Sequence, residues 1–311
     1  MFLTTFVNVL ITLLYVVPGF VLCKCRMAKP EHLPTLSAIL VYAGGPCLVL
    51  STFIDMKYEK ETFLKMLLFF LATFLVQLAF ILIVYAVCRF VLRRDLNEVK
   101  YRILILGSVF GNVGFFGMPI VKGMFPGNTL AACYCSMCMV SMNILIFTIG
   151  MLFITGEKKY ISLKSVILNP AVVSLAIALP IYFTGTAKYI PKVIVDVLNL
   201  FGNMCTPLCM IVLGIRLASV SMVKIFTRPM NYVTVFMKLI VFPLFCYAAL
   251  RFLPLSREFV LTAVVLAATP CASNILNFSE FHHKDPELAS NCILLSVMIC
   301  FLTIPLFTLL P

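Results

Sequence analysis

Ten stretches of this chain are apolar almost without interruption, and no other feature limits its possible folds as strongly. They cover approximately residues 2–22, 33–54, 63–91, 102–125, 129–154, 165–185, 190–217, 230–253, 257–280 and 286–310, called segments 1 to 10 below. A hydrocarbon core about 30 Å thick is crossed by roughly 20 apolar residues in a helix. Inside it each backbone N–H and C=O must be satisfied by the protein, so apolar runs of this length are helical. The connections are short. The longest is the charged stretch from Arg93 to Lys100 between segments 3 and 4. The expected fold is an all-α membrane protein of ten transmembrane helices.

Charge sets the orientation. Hydrophobic residues make up 62% of the chain and charged residues only 12%, against about a quarter charged in a soluble domain. The net charge of +12 resides in short loops and is no nucleic-acid signature. Odd-numbered loops carry fifteen of the 24 Lys and Arg residues, among them Lys24, Arg26, Arg93, Arg94, Lys158, Lys159 and Arg216. Even-numbered loops carry eight, and Lys238 lies inside segment 8. This asymmetry places the odd loops in the cytoplasm and both termini outside a cell (inner) membrane. The acids Asp55, Glu59 and Glu61 on an even loop weigh little in that rule. Segment 1 has no basic residue before it and is followed by Lys24, so it reads as a retained helix and not as a cleaved leader.

Two segments are built to break. Segment 4 holds Gly111-Asn112-Val113-Gly114-Phe115-Phe116-Gly117-Met118-Pro119, and segment 9 holds Thr269-Pro270-Cys271-Ala272-Ser273-Asn274 and then Asn277. Glycine and proline oppose a continuous helix. Polar residues at membrane depth are costly and mark sites. The two halves match by position: Pro18 with Pro180, Pro46 with Pro207 and Gln77 with Lys238 at offsets of 161 to 162, and Pro119 with Pro270 at 151. Five segments per half is an odd number, so the halves, 1–155 and 164–311, enter the membrane in opposite senses. An inverted repeat with broken crossover helices 4 and 9 is expected.

The breaks locate the candidate site. Half-helix N-termini present free N–H donors and partial positive charge, which favour an anion. Asn112, Gly114, Gly117, Pro119, Pro270, Ser273, Asn274 and Asn277 form the expected substrate site, with Gly45, Pro46 and Pro207 on an opposing wall. Lys238 would serve ion coupling, contact the substrate or a carbonyl end, or be structural as Gln77 would be in the other half. Its candidate acidic partners are Asp55, Asp196 and Glu280. No paired intramembrane aspartates exist for carboxylate-based sodium/proton antiport. The cysteines, including Cys133, Cys135, Cys138, Cys205 and Cys209, read as small packing residues. No cofactor or metal set is indicated, the His282-His283 pair being a solvated loop feature. Walker A, G-x-S-x-G and metalloprotease motifs are missing, so the chain does not read as an enzyme, and transport would run on a proton, sodium or substrate gradient.

The glycine-rich run of segment 4 resembles the auxin efflux carrier family, bacterial branch. So do Thr206-Pro207-Leu208-Cys209-Met210-Ile211-Val212-Leu213-Gly214 in segment 7 and Ala289-Ser290, Leu295-Ser296 and Thr303-Ile304-Pro305-Leu306 in segment 10. The resemblance implies the inverted-repeat fold of bile acid/sodium symporters and sodium/proton antiporters. In that fold segments 1, 2, 6 and 7 form a scaffold, segments 3–5 and 8–10 a transport domain, and helices 4 and 9 cross at Pro119 and Pro270. It also implies an organic anion such as auxin or malate as substrate, and a homodimer. The long loop of plant members after segment 5 has no counterpart between Gly156 and Leu163, so its phosphoregulation does not carry over. The function expected is alternating-access transport of a small carboxylate. A ligand sensor or an anion channel of the same fold is the alternative.

Overall fold

The computed structural model describes residues 1–54, 56–156 and 163–311. Asp55, Lys158 and Lys159 lie outside the described residues. Within these limits the chain is helical throughout. Its single strand-like contact is an isolated bridge in the membrane core.

Seven helices are long and apolar enough to cross a membrane: Phe2–Lys24, Pro30–Ile54, Lys60–Val91, Thr129–Thr155, Lys192–Ser219, Pro229–Leu250 and Pro286–Phe307. They correspond to segments 1, 2, 3, 5, 7, 8 and 10. Segments 4 and 9 are each split, into Val99–Gly107 with Val113–Met124 and into Arg257–Ala267 with Ser273–Phe281. Segment 6 departs from its expected extent of 165–185, because its continuous helix is only Pro170–Thr184. Proline is favoured at the first turn of a helix but drives the residue before it out of helical dihedrals. Asn169 accordingly takes φ −60° and ψ 130°, and its side-chain oxygen accepts the Ala171 N–H at 2.9 Å. The fifteen-residue helix spans about 22 Å at 1.5 Å per residue, well short of the bilayer core.

Local chemistry sets the other helix ends. Asn128, Ser256 and Asp285 accept the N–H groups of Ala131, Phe259 and Leu288 as side-chain caps. Gly156 and Gly185, with φ of 76° and 63°, close the helices of segments 5 and 6 in the left-handed conformation.

Packing is closest between segments 1 and 7. A Cβ on Gly19 would fall 2.1 Å from the Ile211 carbonyl oxygen, and one on Gly214 would fall 2.1 Å from that of Val16. Only glycine permits such backbone contact, the usual device of helix pairing in lipid. Segment 2 packs on segments 6 and 7, segment 3 on segment 5, and segment 8 on segments 9 and 10. Of the seven long helices, those of segments 5 and 10 are the most enclosed and that of segment 1 the least.

Loop contacts divide by parity. Arg228 of loop 7 pairs with Asp285 and Glu287 at the start of segment 10, at 3.2 and 3.5 Å. On the opposite end, the ring of Tyr58 in loop 2 packs on Tyr182 and Phe183 of segment 6.

Candidate functional site

The two breaks meet. Gly111 and Cys271 form an antiparallel bridge, flanked by Asn112 N–H donating to the Pro270 carbonyl at 2.8 Å and Ala272 N–H donating to the Phe110 carbonyl at 3.0 Å. Cys271 N–H donates to Ser296 Oγ of segment 10 at 3.0 Å. Backbone groups freed by unwinding are thus paired across the crossing, as hydrocarbon demands.

Glycine at 111 leaves the room that this approach uses. A Cβ there would lie 2.3 Å from Thr269 Oγ1 and 2.8 Å from Lys238 Nζ. The crossing is therefore at Gly111 and Cys271, and Pro119 is not part of it, contrary to the sequence reading. Pro119 sits eight residues further on, inside the helix Val113–Met124, where the wide π turn Val113–Gly117 directly before it accommodates the missing N–H. Matching Gly111 with Cys271 gives an offset of 160, in line with 161 to 162 elsewhere, so the irregular offset of 151 disappears.

Lys238 seals the carbonyl ends. Its Nζ donates to the Val109 oxygen at 3.0 Å and to the Ala267 oxygen at 2.7 Å, and lies 4.9 Å from the Phe242 ring centre. Those carbonyls end the first halves of segments 4 and 9, where the helix dipoles are negative and favour a cation. Among the described residues no carboxylate pairs with Lys238. The suggested partner Glu280 instead binds Arg216 at 2.9 Å, and Asp196 is exposed on segment 7. Gln77 donates to Ser141 Oγ at 3.0 Å, and its buried carbonyl oxygen has no protein partner among the described residues.

The amide ends are left open. No protein hydrogen bond takes the N–H groups of Gly114, Phe115, Ser273 or Asn274 among the described residues. They border a cavity of about 140 Å³ lined by Gly45, Gly111, Asn112, Gly114, Phe115, Asn143, Asn169, Cys209, Arg216, Ser273, Asn274 and Asn277, among others. Asn112 donates to Cys209 Sγ at 3.4 Å. Asn143 is only 6% exposed, and no protein group among the described residues bonds its amide. The lining contains no Asp or Glu, and Arg216 is its one charged residue.

Of the expected site, Asn112, Gly114, Ser273, Asn274, Asn277 and Gly45 line this cavity. Pro270 contributes its carbonyl to the crossing. Gly117 admits Leu266 and Thr269 at close range. Pro46 lies inside the helix Pro30–Ile54, just after its π turn Leu40–Gly44, and is not a lining residue. Pro119 and Pro207 border a different cavity of about 240 Å³ with Asn8, Lys122 and Asn203. Asn143, Asn169 and Arg216 were missed. The Asn169-Pro170 dipeptide is a break signal and Asn143 is a polar amide within the apolar run of segment 5, whereas Arg216 carries no signal that a single sequence reveals.

The cavity continues into a vestibule of about 1150 Å³ lined by residues including Pro30, Ser219, Glu280, His282 and Glu287. The vestibule thus draws on loops 1, 7 and 9. Buried cysteines are all unbridged, and no cluster of His, Cys, Asp or Glu among the described residues could hold a metal ion.

These features define a multi-pass helical membrane protein built around two interrupted helices and an internal cavity at their crossing. A family model described as membrane transport protein matches residues 4–308, and the chain belongs to that family, the auxin efflux carriers. It is also similar to an uncharacterized transporter from Methanocaldococcus jannaschii, 29% identical over 212 residues, which are 68% of each chain.

Proposed function

We propose that the protein is a secondary transporter of a small organic anion, working by alternating access. One observation carries the reading: unpaired amide ends, asparagine side chains and one arginine converge on a cavity whose lining has no carboxylate. Such a lining favours negative charge.

In this reading the halves are inverted repeats, a relation supported by the antiparallel meeting of the breaks at equivalent positions. Segments 1, 2, 6 and 7 are the scaffold, tied by the Gly19 and Gly214 contacts. Segments 3–5 and 8–10 move against it and carry the crossing. The vestibule faces the cytoplasm, with both termini outside the cell membrane and a homodimer formed through the scaffold. Lys238 belongs to the moving part as a fixed internal cation, and a proton, a sodium ion or the substrate gradient supplies the drive.

Purified protein in proteoliposomes should accumulate or exchange labelled carboxylates with saturation. Asn112→Ala and Asn274→Ala should each weaken that flux. Unchanged flux and affinity in both variants would overturn the site. Saturable binding without any flux would point to a sensor, and non-saturating current to a channel.

A further inference from the structure

The cavity of about 240 Å³ beside Pro119 and Pro207 is separate from the crossing. It lies toward the face opposite loops 1, 7 and 9, where segments 1 and 7 begin and segment 4 ends. Asn8 and Tyr15 stand two turns apart on one side of segment 1, and Asn203 and Thr206 share a side of segment 7 at i and i+3. Lys122 comes from segment 4 and is the one charged residue of the lining. Asn8 rests on the backbone next to it, since a Cβ on Gly123 would fall 2.1 Å from Asn8 Nδ2. Among the described residues no hydrogen bond or ion pair engages the side chains of Asn8, Lys122, Asn203 or Thr206. Asn203 is eleven residues into a helix of 28, about 16 Å from its start. Unpartnered polar groups at such depth are costly and mark sites.

This cavity is the image of the vestibule in the proposed repeat. An offset of 161 carries Asn8 to Asn169 and Tyr42 to Asn203, and the offset of 160 at the crossing carries Lys122 to His282. Tyr42 and His282 line the vestibule, and Asn169 lines the cavity it leads to. Along segment 7 the two inner cavities follow one another. Thr206 of the one and Cys209 of the other are three residues apart, about 4.5 Å along the axis.

A lysine that only snorkels to the membrane surface has no use for three neutral polar side chains around a cavity. A lysine that holds an anion does, because each further donor shares the charge and none opposes it. Resting on the repeat in the reading above, we propose that this cavity is a second anion site. Lys122 supplies its charge, and Asn8, Asn203 and Thr206 supply neutral donors. One lysine without an acid matches a single negative charge, so the ligands are small monovalent anions, either a monocarboxylate or an inorganic ion.

The test is acylation of purified protein in detergent with an amine-reactive reagent, each lysine being followed by peptide mass spectrometry. Acetate should slow the labelling of Lys122 at least about threefold and saturably. Lys188 and Lys192, exposed on the same face, should be unaffected. Chloride is the second probe. Equal protection by chloride assigns the site to inorganic anions, and protection by acetate alone assigns it to a carboxylate. The double variant Asn8→Ala with Asn203→Ala should lose most of the protection, and Asn274→Ala at the crossing should keep it. Ligand-free labelling and melting of each variant report folding separately. Lys122 unprotected by either probe, or Lys188 and Lys192 slowed equally, would overturn the proposal. So would protection that survives the double variant in full or vanishes in Asn274→Ala, since the anion would then act from elsewhere. Protection without any flux in proteoliposomes keeps this site and defeats the transport reading, whereas saturable flux without protection does the reverse.

Discussion

The two sides of the crossing are chemically opposite. On the carbonyl side, the ends of Val99–Gly107 and Arg257–Ala267 are closed by one side chain, Lys238, buried completely and bonded to the carbonyls of Val109 and Ala267. On the amide side, the starts of Val113–Met124 and Ser273–Phe281 keep unbonded N–H groups beside a cavity, among asparagines of which Asn143 has no protein partner among the described residues. Unpaired polar groups at membrane depth are expensive. The protein meets the negative dipole ends with its own cation, and in the proposed reading the positive ends face the transported anion.

Breaking the closed side should cost most. Lys238→Met strips the donor from two carbonyls that have no other hydrogen bond among the described residues. With hydrogen bonds to charged groups worth about 1.5–3 kcal/mol each, stability should fall by about 3 kcal/mol. Thermal unfolding in detergent checks this, and an unchanged midpoint would show that the carbonyls find other partners. Gly111→Ala comes next. Its methyl would press on Thr269 and on the flexible end of Lys238, so the crossing opens slightly at about 1–3 kcal/mol. Unfolding measurements on Gly111→Ala and on Gly111→Ala with Thr269→Ser apportion the clash.

The open side should behave differently. Asn143→Ala removes a side chain with no protein partner among the described residues, so the ligand-free melting point should stay put while carboxylate affinity falls about tenfold. A drop in melting point without ligand would place Asn143 on the structural side. The smallest effect is expected of Glu280→Gln. The pair is half exposed on the Glu280 side alone, with Arg216 only 14% exposed, so unfolding should shift by about 1 kcal/mol.

Much of this was legible in the residues, and the failures are instructive. Asn112 and Asn274 stood out because a polar amide within an apolar run has few bland explanations. Lys238 stood out likewise, but its partners are carbonyls, and a backbone oxygen leaves no trace in sequence. Pro119 misled because proline marks a helix break, yet a wide π turn ahead of it lets the helix Val113–Met124 run through. Which case applies depends on where unwinding occurs, and the close approach of Gly111 to Thr269 and Lys238 decides that. Arg216 was counted as one more loop charge, since its place beside the cavity depends on segment 9 bringing Glu280 to meet it.

The chain alone determined its solvent, its helices and the two places where those helices could not continue. These follow from local rules: the length needed to cross hydrocarbon, the conformations glycine and proline allow, and the cost of a lone polar group in lipid. Tertiary structure decided which breaks touch, that Lys238 closes one side of their meeting, and that Asn143, Asn169 and Arg216 share a cavity with Asn112 and Asn274. Such contacts join residues up to 162 positions apart (Asn112 and Asn274), and their distances depend on how whole helices pack, which no local pattern encodes.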